Sequence, residues 1–176
     1  MQKTKNTSVL FVCLGNICRS PMAEAILRHK VIALNLQENI IIDSCGTGGW
    51  HQGEPPHEGT RNILQQNGVS FKGQTARKIE VNDFFDFDFI IPMDEQNRKD
   101  IFLFGQKNKI EPPTMNLFLE FIPTSKRANK IIPSDLNVPD PWYTGEFDKV
   151  YDMLNIACGE LINILTVDTA KDSNIF

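Results

Sequence analysis

The stretch VCLGNICRSP, residues 12–21, joins two segments of different hydrophobic period. Before it, Val9-Leu10-Phe11-Val12 is a short apolar run of the kind that makes a buried strand. After it, Met22, Ala23, Ile26, Leu27, Val31 and Leu34 repeat at the spacing of one helix face. Ser20-Pro21 reads as the start of that helix, with the hydroxyl at the N-cap and proline at the first helical position. Cys13 therefore stands at a strand end, in a loop that feeds a helix. Free N–H groups and the positive helix end suit such a loop to an anion. Gly15 lets backbone approach closely, and Asn16 tolerates a left-handed conformation. Arg19 offers a planar fork for two phosphate oxygens, and the same positive field favours the nucleophilic thiolate of Cys13.

Working outward, residues 39–45 read as a second strand, ended by Gly46, Gly48 and Gly49. A helix is expected from Pro56 to Gln66, closed by Asn67-Gly68. A third strand is expected over Phe87–Ile91, a helix over Asp94–Phe104, and another strand in MNLFLEFI, residues 115–122. Val150, Met153, Leu154, Ala157, Leu161, Ile162 and Leu165 mark a long amphipathic helix. Strands alternating with helices imply an α/β fold: one domain over residues 1–176, its parallel sheet covered on both faces.

The chain has 176 residues, 41% hydrophobic and 23% charged, enough for one well-filled core. A net charge of −4 argues against nucleic acid as a partner, and no apolar run is long enough for membrane insertion. Residues 1–8 do not read as a signal peptide. Cysteines at 13, 18, 45 and 158 are too scattered for a disulfide framework, and Cys13-x4-Cys18 has no matching histidine pair for zinc. The expectation is a cytoplasmic protein with reduced thiols and neither metal nor cofactor. One glycine and Arg19-Ser20 do not make a nucleotide-binding loop of the Gly-Lys-Ser/Thr type. Asp140, between Pro139 and Pro141, sits on a stiffened loop suited to hold an acid in position.

With DSCGTGGW (43–50), TARKI (75–79), FIIPMDEQN (89–97) and DPWY (140–143), the loop resembles the low-molecular-weight protein tyrosine phosphatases. That resemblance implies a four-stranded parallel sheet with flanking helices and a metal-independent hydrolysis of phosphotyrosine through a phosphocysteine. It implies that Cys13 attacks phosphorus, while Arg19 and the N–H groups of Leu14, Gly15, Asn16, Ile17, Cys18 and Arg19 hold the oxygens. Ser20 would stabilise the Cys13 thiolate, and Asn16, with Ser44 behind it, would brace the loop. Asp140 would be the general acid, with Trp50, Trp142 and Tyr143 walling the cleft and stacking on the aryl ring. The partner implied is a phosphotyrosine protein, acted on by a monomer.

Three departures from the family pattern stand out: Gln74 where a histidine is frequent, Trp142 where tyrosine is frequent, and a poorly matching segment 104–137. Two relatives share the loop. Arsenate reductases of this fold need relay cysteines in mid-chain, absent here between Cys45 and Cys158. Protein-arginine phosphatases tend to have threonine where this chain has Ile17, which suits an apolar ring better. A catalytically silent phosphate-binding module would not need Cys13, Arg19 and Asp140 together. Cys18 is close enough in sequence to form a reversible disulfide with Cys13 under peroxide.

Overall fold

A computed structural model describes residues 6–128 and 131–171, with side chains of the last helix through 166. Strand β1 (Thr7–Cys13) pairs in parallel with β2 (Ile40–Gly46) on one side and β3 (Phe89–Pro92) on the other. Val9 to Val12 are fully buried, because the central strand of a parallel sheet is covered on both faces. Side-chain alternation divides β1 between two clusters. Val9, Phe11 and Cys13 join the helices α1 (Arg19–Ala33) and α6 (Phe147–Lys171). Leu10 and Val12 join the other layer, which holds Ile101 of α4 (Glu95–Lys107) and the partly buried Phe84 of α3 (Asp83–Asp86). Helix α2 (Glu58–Gln66) packs on α1 and α6.

The strand order β2-β1-β3 puts the topological switch at the C-terminal end of β1. The chain leaves β1 toward one neighbour and returns on the other side, opening a crevice there. Cys13 is the last residue of that strand.

Two expectations are corrected. The sheet has three strands among the described residues, not four. MNLFLEFI contains no strand there; Phe118–Phe121 is a 3-10 turn. The Glu120 carboxylate accepts the Leu117 N–H at 2.7 Å and closes that turn, with Pro113 before it and Pro123 after. The apolar run also changes sides: Met115 joins the Leu10 cluster, whereas Phe118, Leu119 and Ile122 join the Phe11 cluster. A strand would have kept these residues in alternation across one sheet; the turn instead wraps them around it.

A third correction concerns Ser20. Helix α1 begins at Arg19 with Cys18 at its N-cap, so Ser20 does not cap it. Its hydroxyl lies 3.0 Å from Cys13 Sγ instead. The other boundaries fall within two residues of expectation, apart from α4 and α6, which run on to Lys107 and Lys171.

Candidate active site

Residues 14–18, between β1 and α1, fold as a tight loop whose shape is set by glycine at one outside position. A Cβ on Gly46 would lie 2.8 Å from Leu14 O and 3.1 Å from Asn16 N, so a side chain there would push into the loop backbone. Thr47 N and Gly48 N donate to Cys13 O and Leu14 O at 2.9 and 2.8 Å, tying the loop to the end of β2. Asn16 takes the left-handed conformation (φ 56°), and its backbone N–H points at Cys13 Sγ, 3.3 Å away.

The buried Asn16 side chain satisfies that strained turn on three sides. Its Nδ2 donates to Ser20 Oγ and Ser44 Oγ, each at 2.9 Å, and its Oδ1 accepts the Arg77 N–H at 2.8 Å. Ser44 Oγ in turn donates to Glu24 Oε2 at 2.6 Å. Because Asn16 donates to Ser20, the Ser20 hydroxyl proton is left for Cys13 Sγ or for Cys45 O at 3.3 Å. Burial pushes Glu24 above the usual carboxylate range, an effect opposed by the Ser44 bond and the ion pair with Arg28. Gln74, in the place of the frequent histidine, donates to Pro21 O at 2.9 Å and so steadies the first turn of α1.

Arg19 is nearly inaccessible, 3% exposed. One guanidinium nitrogen donates to Asp94 at 2.5 Å and to Val138 O at 3.1 Å; the other donates to Asp140 at 2.7 Å. Burial works against its charge, yet Cys13, Asp140 and Asp94 hold it above its ordinary value. Its Nε is buried and has no hydrogen-bond partner among the described residues, an arrangement that an incoming oxyanion would complete. Both carboxylates are shared with the backbone. Asp94 Oδ1 caps α4 at Asn97 N, and Asp140 Oδ1 caps the short helix α5 (Pro141–Thr144) at Trp142 N.

Above this floor opens a cleft of about 270 Å³, lined by Cys13, Ile17, Arg19, Asp140, Trp50 and Trp142 among others. Leu14, Gly15, Cys18 and Tyr143 also line it, whereas Asn16 and Ser20 stand behind the floor. The rim is open: Trp50, Trp142 and Tyr143 are 72%, 52% and 76% exposed. The chemistry available is attack by a thiol on an anionic centre held by an arginine, with a carboxylate overhead.

The sequence pattern missed three side chains. Glu24 lies inside the buried run Met22–Leu27, where a lone carboxylate in an apolar stretch was the available signal. His51 lines the cleft beside Gly15 and pairs with Glu54 at 2.9 Å. His57, at the N-cap of α2, packs against Trp142, and no local pattern marks that contact.

The chain matches the family model described as low molecular weight phosphotyrosine protein phosphatase over residues 8–171. It is 45% identical over 156 residues to the low molecular weight protein-tyrosine-phosphatase YfkJ of Bacillus subtilis, covering 88% of this chain and 93% of that one. It is 42% identical over 168 residues to PtpA of Staphylococcus saprophyticus, covering 96% of this chain and 97% of that one. The crystal structure of YfkJ superposes with a TM-score of 0.82 at 41% identity, over 93% of this chain and 97% of that one. A solved Drosophila arginine phosphatase superposes with a TM-score of 0.76 at 32% identity, over 88% and 95%. The chain belongs to the low molecular weight phosphotyrosine protein phosphatase family. It is a phosphatase that works by cysteine chemistry.

Proposed function

We propose that residues 1–176 act as one catalytic unit that hydrolyses phosphotyrosine in proteins and small aryl phosphates. In this reading the Cys13 thiolate attacks phosphorus, the phenolic oxygen departs, and a phosphocysteine remains for water to hydrolyse. Arg19 and the N–H groups of residues 14–19 hold the equatorial oxygens through both steps, so their charge is met without a metal. Arg19 turns from Asp140 to the phosphate as substrate arrives, freeing the carboxyl for proton transfer. Asp140 then protonates the leaving phenol and afterwards takes a proton from the attacking water. Ser20, 3.0 Å from Cys13 Sγ, steadies the thiolate when it leaves phosphorus.

The observation that carries the substrate class is the apolar and aromatic wall of the cleft. Ile17 stands at the floor, with Trp50, Trp142 and Tyr143 around the mouth. A phenyl ring stacks there, whereas a guanidinium would find an aliphatic group beside its N–H donors. Cys45 and Cys158 are fully buried, which supports phosphatase over thiol-relay chemistry. Four free thiols support a reducing compartment, the cytoplasm, and the proposed working form is a monomer. The test is kcat/KM for phosphotyrosine and phosphoarginine, with reduction of arsenate by added thiol assayed in parallel. Hydrolysis of phosphotyrosine well ahead of the other two activities is expected; preference for phosphoarginine would overturn the substrate class.

A further inference from the structure

Trp142 is gripped from two sides by histidines that the reaction scheme does not use: His51, with ring centroids 5.9 Å apart, and His57, at 5.3 Å and edge-to-face. His57 is the more deeply connected. Its backbone N–H donates to Ile17 O of the phosphate loop at 2.7 Å. Its Nδ1 accepts the Gly59 N–H at 3.1 Å and so caps α2, which leaves the ring proton on Nε2. Its ring lies parallel to Phe147, at 5.2 Å and 1° between planes. Phe147 opens α6 and packs against Ile17, Cys18 and Ala76. Gly59 makes room for this stack, since a Cβ there would lie 2.5 Å from the Phe147 ring.

His57 therefore joins four parts of the fold: its backbone holds the phosphate loop, and its imidazole touches the start of α2, the indole of Trp142 and the start of α6. The last two lie two residues after the carboxyl-bearing Asp140 and at the far end of the 140–147 turn. Trp142 N donates to Asp140 Oδ1 at 3.1 Å, so a shift of the indole is transmitted directly to the acid. We infer that His57 is a positioning residue for proton transfer: its ring, wedged between Phe147 and Trp142, holds the 140–147 turn so that the Asp140 carboxyl stays over the cleft. Its capping bond serves α2, and its ring serves Asp140. This inference rests on the proposed role of Asp140 as the general acid.

The two functions of the side chain separate by substitution. His57→Asn keeps a good N-cap and removes the ring; His57→Phe keeps a ring and removes the cap. Each is assayed with a phosphotyrosyl peptide, whose phenol needs a proton to leave, and with p-nitrophenyl phosphate, whose leaving group scarcely does. His57→Asn is expected to lower kcat/KM for the peptide by about ten- to a hundredfold, and for p-nitrophenyl phosphate by less than about threefold. His57→Phe should keep the ratio of the two substrates near that of the parent while melting at a lower temperature. Equal losses on both substrates in His57→Asn, or the same substrate-dependent loss in His57→Phe, would overturn the inference. If His57→Phe does not fold, Phe147→Leu takes its place: it removes the stack and is expected to reproduce the His57→Asn signature, and its absence overturns the inference. Asp140→Asn, run alongside, separates the two levels. A substrate-dependent loss in Asp140→Asn but not in His57→Asn removes His57 and leaves the acid in place; no such loss in Asp140→Asn removes both.

Discussion

The floor and the rim of the cleft are built on opposite principles. At the floor, Cys13, Asn16, Arg19, Ser20 and Ser44 are all buried, and each is held by hydrogen bonds to other fixed groups. At the rim, Trp50, Trp142 and Tyr143 are mostly in solvent, and the turn bearing Asp140 is held by its proline, one capping bond, two aromatic contacts and the ion pair of Asp140 with Arg19 of the floor. The difference teaches where each part of the chemistry resides. Charge developing on a phosphoryl group is the same for every substrate, and a rigid cradle meets it without reorganisation. The group that leaves differs from substrate to substrate, and an open rim can meet it with little cost to the cradle.

Substitutions at the floor should thus affect all substrates alike. Cys13→Ser has the largest expected effect: turnover is lost while vanadate or phosphate still binds, because a serine hydroxyl is not ionised near neutral pH and the cradle persists. Measurable turnover in the pure variant, by a steady-state phosphate-release assay, would break the assignment of the nucleophile.

Between floor and rim stands Asp140, and its removal should discriminate. Asp140→Asn is expected to lower kcat/KM for phosphotyrosine by about 10²–10⁴-fold and for p-nitrophenyl phosphate far less. The ratio kcat/KM is the right quantity because it runs from free enzyme through phosphoenzyme formation. Equal losses would move Asp140 into the floor as a purely structural group. Asp94, the other carboxylate on Arg19, would then be the next to substitute.

At the rim, Trp50→Ala should raise KM for aryl phosphates by up to about tenfold with kcat little changed, since stacking acts on bound substrate and transition state alike. A fall in kcat of the same size would place Trp50 in the cradle. The smallest effect on untreated enzyme is expected at Cys18. Its thiol is pushed up to about 12 by burial, with Cys13 and Asp140 adding to the shift, so it is fully protonated at neutral pH. Cys18→Ser should leave turnover near that of the parent. After the same peroxide dose, however, it should recover less activity with added thiol, because Cys13 sulfenic acid then has no neighbouring thiol to form a disulfide. Equal recovery would leave Cys18 as a packing residue beside Ile17 and Ala76.

The floor was also the legible part of the sequence, for a physical reason. Strand, loop and helix follow one another without a break, so local period and eight adjacent residues carry most of its geometry. The start of α4 at Asp94 was legible in the same way, because the bond that caps it there is local. Ser20 was misread as a cap because a tertiary partner, Cys13, claims its hydroxyl. Residues 115–122 were misread because a short, mostly apolar segment, broken only by Asn116 and Glu120, has too little period to distinguish a strand from a turn that crosses between two clusters. Glu24 and His57 gain their meaning only from Ser44, Trp142 and Phe147, which folding brings to them from far along the chain.

The central claim is that the phosphoryl group passes through Cys13. The direct measurement is rapid acid quench of the enzyme with excess p-nitrophenyl phosphate, followed by peptide mapping by mass spectrometry. The result expected is one phosphoryl group on the peptide that contains Cys13, absent from Cys13→Ser. Fragmentation should assign it to that sulfur rather than to Cys18. A phosphoryl group on Cys18 or on no cysteine, with turnover intact, would contradict the claim.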